Sequence, residues 1–249
     1  ILYLFIITMT KKSIIHISAS SDFGGGPQFI YNLSKYSNHN HYYYGPDGSY
    51  LNEISKYNKV ISTNFNRFFN SYLIKRIFDL KIKNIHLHGR GALIFNFINI
   101  LIIKILYKSH NINIIYTPHG LNVKFSFIDY VSNFICFNFI NTITFVSKDE
   151  YYLYSKLYNL KNNYRIIKNG VPINTKLQKK FKIKNKNLIS FSRFNEQKNT
   201  ILLCRIASMV PEFNFYIFGN GKKKNECIEF CNSNKIKNVI FKNFTKNKN

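Results

Sequence analysis

Four short stretches carry residue types and spacings suited to binding anions or exchanging hydrogen bonds with a sugar. Gly24-Gly25-Gly26 stands just past a strand-like run, Ser13 to Ser18, and directly before a helical run from Pro27 through Leu33. Glycines there let backbone N–H groups approach a phosphate or sugar, and a helix N-terminus adds favourable potential. The stretch lacks the G-x-G-x-x-G of dinucleotide sites, and a tight strand-to-helix turn needs the same residues. Thr117-Pro118-His119-Gly120 ends a second strand, where α/β sheets present ligand-binding side chains, so His119 is the candidate catalytic imidazole. His86 and His88 share one side of the preceding strand by its two-residue period and are candidate neighbours of His119. A three-histidine metal site built from them finds no supporting carboxylate, and none is assigned. Arg193 and Lys198 bracket a strand-to-helix loop, where a forked guanidinium and a point charge can neutralise a diphosphate. Gly219 and Gly221 recur at the end of the next strand, where a nucleotide can approach the backbone.

These stretches need a scaffold that brings loop ends together, and the chain supplies alternating short β-rich runs and longer helical segments. That pattern predicts an α/β fold with parallel strands and crossover helices. Strands are expected at Ser13 to Ser18, Asn84 to His88, Ile112 to Thr117, Thr142 to Val146 and Arg165 to Lys168, with helices filling most of the gaps. Leu93 to Leu106 reads as one buried helix, too short to span a membrane. Residues 9–172 form the first domain, the lysine-rich segment 173–187 a linker, and 188–249 a partial second domain. The second domain is expected to run Leu188 to Ser192 (strand), Asn199 to Met209 (helix), Phe213 to Phe218 (strand), Lys224 to Asn232 (helix) and Asn238 to Lys242 (strand).

Composition bounds the functions available. With 249 residues, 45% apolar and 17% aromatic, the chain can bury a full core and is not disordered. The formal charge of +25, from 36 Lys and Arg against 11 Asp and Glu, favours anionic partners: nucleic acid, acidic lipid or phosphorylated small molecules. The abundance of Asn, Ile, Lys, Phe and Tyr has the texture of an AT-rich coding sequence, which supplies lysine without selecting for a polyanion. Most aromatics fall at core-like positions, which weakens a nucleic-acid reading. Cys136, Cys204, Cys227 and Cys231 form no zinc-type set and suit a reduced, cytoplasmic protein. The apolar opening, Ile1 to Ile7, is too short for a span and lacks a basic flank, so translation is expected to start at Met9.

Taken together, these residues resemble the retaining GT-B glycosyltransferases of glycosyltransferase family 4. The resemblance runs through Gly24 to Gly26, His86 and His88, His119, Val146-Ser147 with Glu150, Ile167 to Val171, Arg193 to Lys198, and Gly219 with Gly221. It implies two Rossmann-like domains facing across a cleft, an acceptor on the first and a nucleotide-sugar donor on the second. His119 would sit beside the transferring sugar, and Arg193 and Lys198 would hold the diphosphate leaving group without a metal or other cofactor. A glycan or lipid-linked acceptor, surface-polysaccharide assembly and peripheral contact with the acidic inner face of a cell membrane are further implications. The family's E-x7-E carboxylates are not found before Asn249, and Ser192 stands where a Gly usually precedes the Arg, so a truncated copy with little turnover is expected.

Overall fold

In the computed structural model the described residues are 11–66, 68–106, 111–120, 130, 137–157, 160, 164–170 and 186–243. The chain divides into two compact units, Ile1–Pro172 and Ile173–Asn249. Most of the expected linker, residues 173–185, lies outside the described residues, as do Val171 and Pro172.

The first unit runs β1 (Ser13–Ser18), α1 (Gly25–Lys35), β2 (Asn40–Tyr44), α2 (Leu51–Ser55), β3 (Lys59–Ser62), α3 (Ser71–Asp79), β4 (Asn84–His88), α4 (Gly89–Phe95), α5 (Phe97–Leu106), β5 (Asn113–Thr117), β6 (Thr142–Phe145), α6 (Lys148–Leu157) and β7 (Tyr164–Ile166). Its strands form one parallel sheet in the order β3-β2-β1-β4-β5-β6-β7. Chain progression reverses direction between β1 and β4, and ligands of open α/β sheets bind outside the strand carboxyl ends at such a switch point.

Strand register sorts the side chains onto two unlike faces. Ile15, Ile17, Tyr44, Ile85, Leu87, Ile114, Tyr116, Ile143 and Phe145 make the apolar face and pack with residues of α3, α4 and α5 into one core. The alternate positions carry His16, Ser18, His41, Tyr43, His86, His88, Thr117 and Thr144 on the opposite face. A smaller cluster, Ile30, Tyr43, Tyr50 and Ile54, brings α1 and α2 onto the β2 side of that polar face. Burying both faces of a parallel sheet is the usual consequence of crossover helices.

Two differences from the sequence expectations have physical causes. The expected single helix from Leu93 to Leu106 is two helices broken at Asn96, a fully buried residue whose side-chain amide donates to the Ala92 carbonyl (3.0 Å). Asn96 Oδ1 also accepts from Asn99, whose own Oδ1 accepts from the Asn70 backbone N–H (2.8 Å), so a buried polar network interrupts the apolar helix. The strands β2 and β3 appear where no strand was expected. They are fixed by parallel pairing to β1 and to each other, not by an apolar alternation of their own.

The second unit contains β8 (Asn187–Phe191), a short 3₁₀ turn (Glu196–Lys198), α7 (Thr200–Met209), β9 (Asn214–Phe218), α8 (Lys224–Ser233) and β10 (Val239–Lys242). Its strands are parallel in the order β10-β9-β8. Phe194, Cys204, Ile217, Cys227 and Cys231 form its core. Burial pushes all three thiols up, so these cysteines act as small apolar packing groups.

Candidate functional site

Along the polar face of the first sheet, from the start of β2 to the carboxyl end of β4, a chain of imidazoles crosses four segments. His41 Nδ1 meets His16 Nε2 at 2.9 Å, His16 Nδ1 meets His88 Nε2 at 2.9 Å, and His88 Nδ1 meets His119 Nε2 at 3.0 Å. His86 joins from the side, its Nε2 on Thr117 Oγ1 at 2.8 Å, and Thr117 Oγ1 in turn bonds Thr144 Oγ1. Phe29, on α1, packs its ring against His119 (4.9 Å between centroids) and His88 (5.8 Å). Of the five histidines, His16, His41, His86 and His88 are buried, and His119 alone is partly exposed.

Burial keeps these rings uncharged. It pulls His86 down to about 3 and His41 and His119 to about 4, and it holds His16 and His88 well below the usual imidazole range. Mutual repulsion among neighbouring rings adds to the shift for all but His119. At neutral pH His119 therefore offers a neutral ring, able to donate or accept one hydrogen bond at its outer nitrogen, and not a positive charge.

His119 is held in an uncommon conformation. Its φ is +59° and that of Gly120 is +117°, both in the left-handed region, which costs a non-glycine residue about 1–2 kcal/mol. Glu150, buried on the first turn of α6, offsets this cost. One carboxylate oxygen accepts the Gly120 N–H at 2.6 Å and the other the Val146 N–H at 2.8 Å. Ser147 Oγ caps the same helix by accepting the Glu150 N–H at 3.1 Å.

Of the three glycines of the 24–26 loop, Gly26 lies against His119, and close packing requires glycine at none of them. None lies in the left-handed φ region, and a Cβ on Gly25 would meet nothing within 4 Å. On Gly26 a Cβ would come no nearer than 3.8 Å, to His119 Cδ2, and on Gly24 no nearer than 3.8 Å, to the Asp22 carbonyl.

In the second unit the structure brings together the two loops expected to meet a nucleotide. Ser192 N–H donates to the Phe218 carbonyl, Phe194 N–H to Asn220 and Lys223 N–H to Phe194, at 3.0–3.1 Å. Here glycine is required by packing. A Cβ at Gly219 would lie 1.9 Å from the Ser192 carbonyl oxygen and one at Gly221 2.3 Å from that of Phe194, and both have φ of +151°. Phe194, fully buried, anchors the loop, while Arg193 and Lys198 on either side are exposed and form no ion pair among the described residues. Asn195 Oδ1 accepts the Lys198 N–H at 3.0 Å, fixing the turn that carries the lysine. Ser192 Oγ is buried and has no hydrogen-bond partner among the described residues.

No protein-family model and no curated protein matches the sequence. Solved structures do match. TarM superposes with a TM-score of 0.70 at 13% identity, over 96% of this chain and 78% of that one. Sucrose-phosphate synthase from Thermosynechococcus elongatus gives 0.68 at 11%, over 94% and 71%. The lipopolysaccharide outer core galactosyltransferase WaaB in its apo form gives 0.61 at 14%, over 94% and 68%. The chain has the GT-B fold.

Within this GT-B fold, the sequence had singled out His86, His88 and His119 but neither His16 nor His41. Both are interior strand residues without a local motif. The available signal was positional, because His16 is the register partner of His86. Glu150 had a local signal, the Ser147-x-x-Glu150 capping pattern, but its hold on the His119 turn is a tertiary contact. Among the described residues no helix is long and apolar enough to cross a membrane.

Proposed function

We propose that this chain binds a nucleoside-diphosphate sugar and belongs to the transfer of its sugar to a glycan or lipid-linked acceptor. The observation that carries the reading is the pair of exposed cations, Arg193 and Lys198, on a loop braced by Phe194 and the Gly219–Gly221 turn in a GT-B fold. Arg193 would grip the diphosphate through its fork and Lys198 through its point charge, stabilising the leaving group as the anomeric C–O bond breaks, with no metal required for that step.

The first unit contributes a neutral contact. His119, held by Glu150 and His88, would hydrogen-bond a sugar hydroxyl, with His86 and His88 behind it. The open space at Gly25 suits the approach of a phosphate or sugar. The retaining stereochemistry of family 4, a role in surface polysaccharide assembly and docking of the basic surface on acidic lipid extend the same reading. The likeness to an outer-core galactosyltransferase agrees with that setting.

Calorimetric titration with UDP, GDP and a UDP-sugar tests the donor assignment, beside an Arg193→Ala, Lys198→Ala double variant. Binding of one nucleotide by the parent and its loss in the folded variant is the expected outcome. A folded parent that binds none of them, or a variant that binds as well as the parent, refutes it. Salt-dependent RNA binding without nucleotide binding would point instead to a polyanion-binding protein.

A further inference from the structure

The buried histidines of the first sheet satisfy more conditions than a hydrogen-bonded core requires. His16, His86 and His88 each place a ring nitrogen so that all three lie within 4.8 Å of one another, on adjacent strands β1 and β4 where His16 and His86 are register partners. This trio includes His16 and leaves out His119, unlike the grouping considered from the sequence. The three second nitrogens are also accounted for. If His16 ligates through Nδ1 and His88 through Nε2, the nitrogens now facing each other, His16 Nε2–H donates to His41 Nδ1 and His88 Nδ1–H to His119 Nε2. His86, whose Nε2 is engaged by Thr117 Oγ1, has Nδ1 left to ligate. Metal-binding histidines almost always have that second N–H held by an outer partner, and here His41, Thr117 and His119 fill that role.

We infer that His16, His86 and His88 form a buried site for a divalent transition metal of the zinc type, with His41, Thr117 and His119 orienting the ligands. Imidazole-only ligation selects Zn²⁺ or Co²⁺ over Mg²⁺ or Ca²⁺, which require oxygen ligands. Ligation requires the trio to contract, by up to about 1.5 Å for any pair now near the 4.8 Å limit, within the range of side-chain rotation. Tetrahedral zinc with Zn–N near 2.0–2.1 Å spaces its nitrogens by about 3.3 Å, so the His16–His88 pair, now 2.9 Å apart, must open by roughly 0.4 Å. Water would be the fourth ligand. A metal here would fasten β1 to β4 and, through His88, fix the ring of His119. The inference does not rest on the proposed sugar transfer, and no step of that transfer uses this metal.

The test uses tag-free protein stripped with a chelator and titrated with Co²⁺. One equivalent should bind with the intense visible absorption of tetrahedral cobalt, be displaced by Zn²⁺ and be indifferent to excess Mg²⁺. X-ray absorption of the zinc form should show three imidazole nitrogens. His16→Phe and, separately, His86→Phe should abolish the cobalt band. Should either fail to fold, His119→Ala, which leaves the three ligands intact, should retain the band with affinity weakened about 10–100-fold. Failure of the stripped parent to bind cobalt stoichiometrically, an octahedral spectrum, or binding undiminished in folded His16→Phe would each overturn the assignment. Nucleotide titration reports separately on the second unit, so neither failure is mistaken for the other.

Discussion

Replacing Glu150 by Gln should destabilise the first unit far more than any other charge change on the same helix. The carboxylate is 5% exposed and accepts two backbone N–H groups, from Gly120 at 2.6 Å and Val146 at 2.8 Å. Glutamine keeps the volume but has one acceptor oxygen, so one N–H must face the amide NH₂. Hydrogen bonds to a charged acceptor contribute about 1.5–3 kcal/mol each. Losing one and weakening the other should therefore cost about 2–3 kcal/mol, and Glu150→Ala, which strands both donors, about 3–5 kcal/mol. Asp149→Asn is the control, because Asp149 is exposed on the same first turn and shares only the helix-dipole contribution, about 0.3–1 kcal/mol. Urea unfolding at neutral pH, followed by tyrosine fluorescence and circular dichroism, reads the difference. Amide hydrogen exchange at Gly120 should accelerate in Glu150→Gln and stay slow in the control. If Glu150→Gln costs no more than Asp149→Asn, Glu150 does not hold the His119 turn.

Gly219→Ala should cost the second unit at least about 1–3 kcal/mol, since it adds a Cβ 1.9 Å from the Ser192 carbonyl at a left-handed position. Gly25→Ala, with open space and no positive φ, should leave stability within about 0.5 kcal/mol while weakening ligand binding, and thermal melts with calorimetry separate the two effects. Asn70→Ala should cost about 1–2 kcal/mol in a denaturation curve, because its side chain caps α3 on Leu73 N–H at 2.9 Å and also bonds Tyr44 Oη at 2.8 Å. Ile189→Thr should reduce aggregation, measured by light scattering on heating, with less than about 0.5 kcal/mol change in stability, because Ile189 is 63% exposed on an outer strand of its sheet.

Which features were legible follows from the range of the interactions that create them. β1, β4, β5 and β6 were readable because short apolar runs end in turn residues, and the loops at Gly24, His119, Arg193 and Gly219 were readable because strand ends expose them. β2, with sequence Asn-His-Tyr-Tyr-Tyr, lacks that local signature and becomes a strand through its pairing with β1. The histidine cluster is an extreme case of the same limit. Its consecutive contacts, from His41 to His16 to His88 to His119, join residues 25, 72 and 31 positions apart. A one-residue slip of β1 against β4 would turn His16 to the apolar face and dissolve the cluster while leaving every local motif intact. The register holds because the same slip would drive Ile15 and Ile17 out of the main core, so apolar burial on one face of the sheet positions the chemistry on the other.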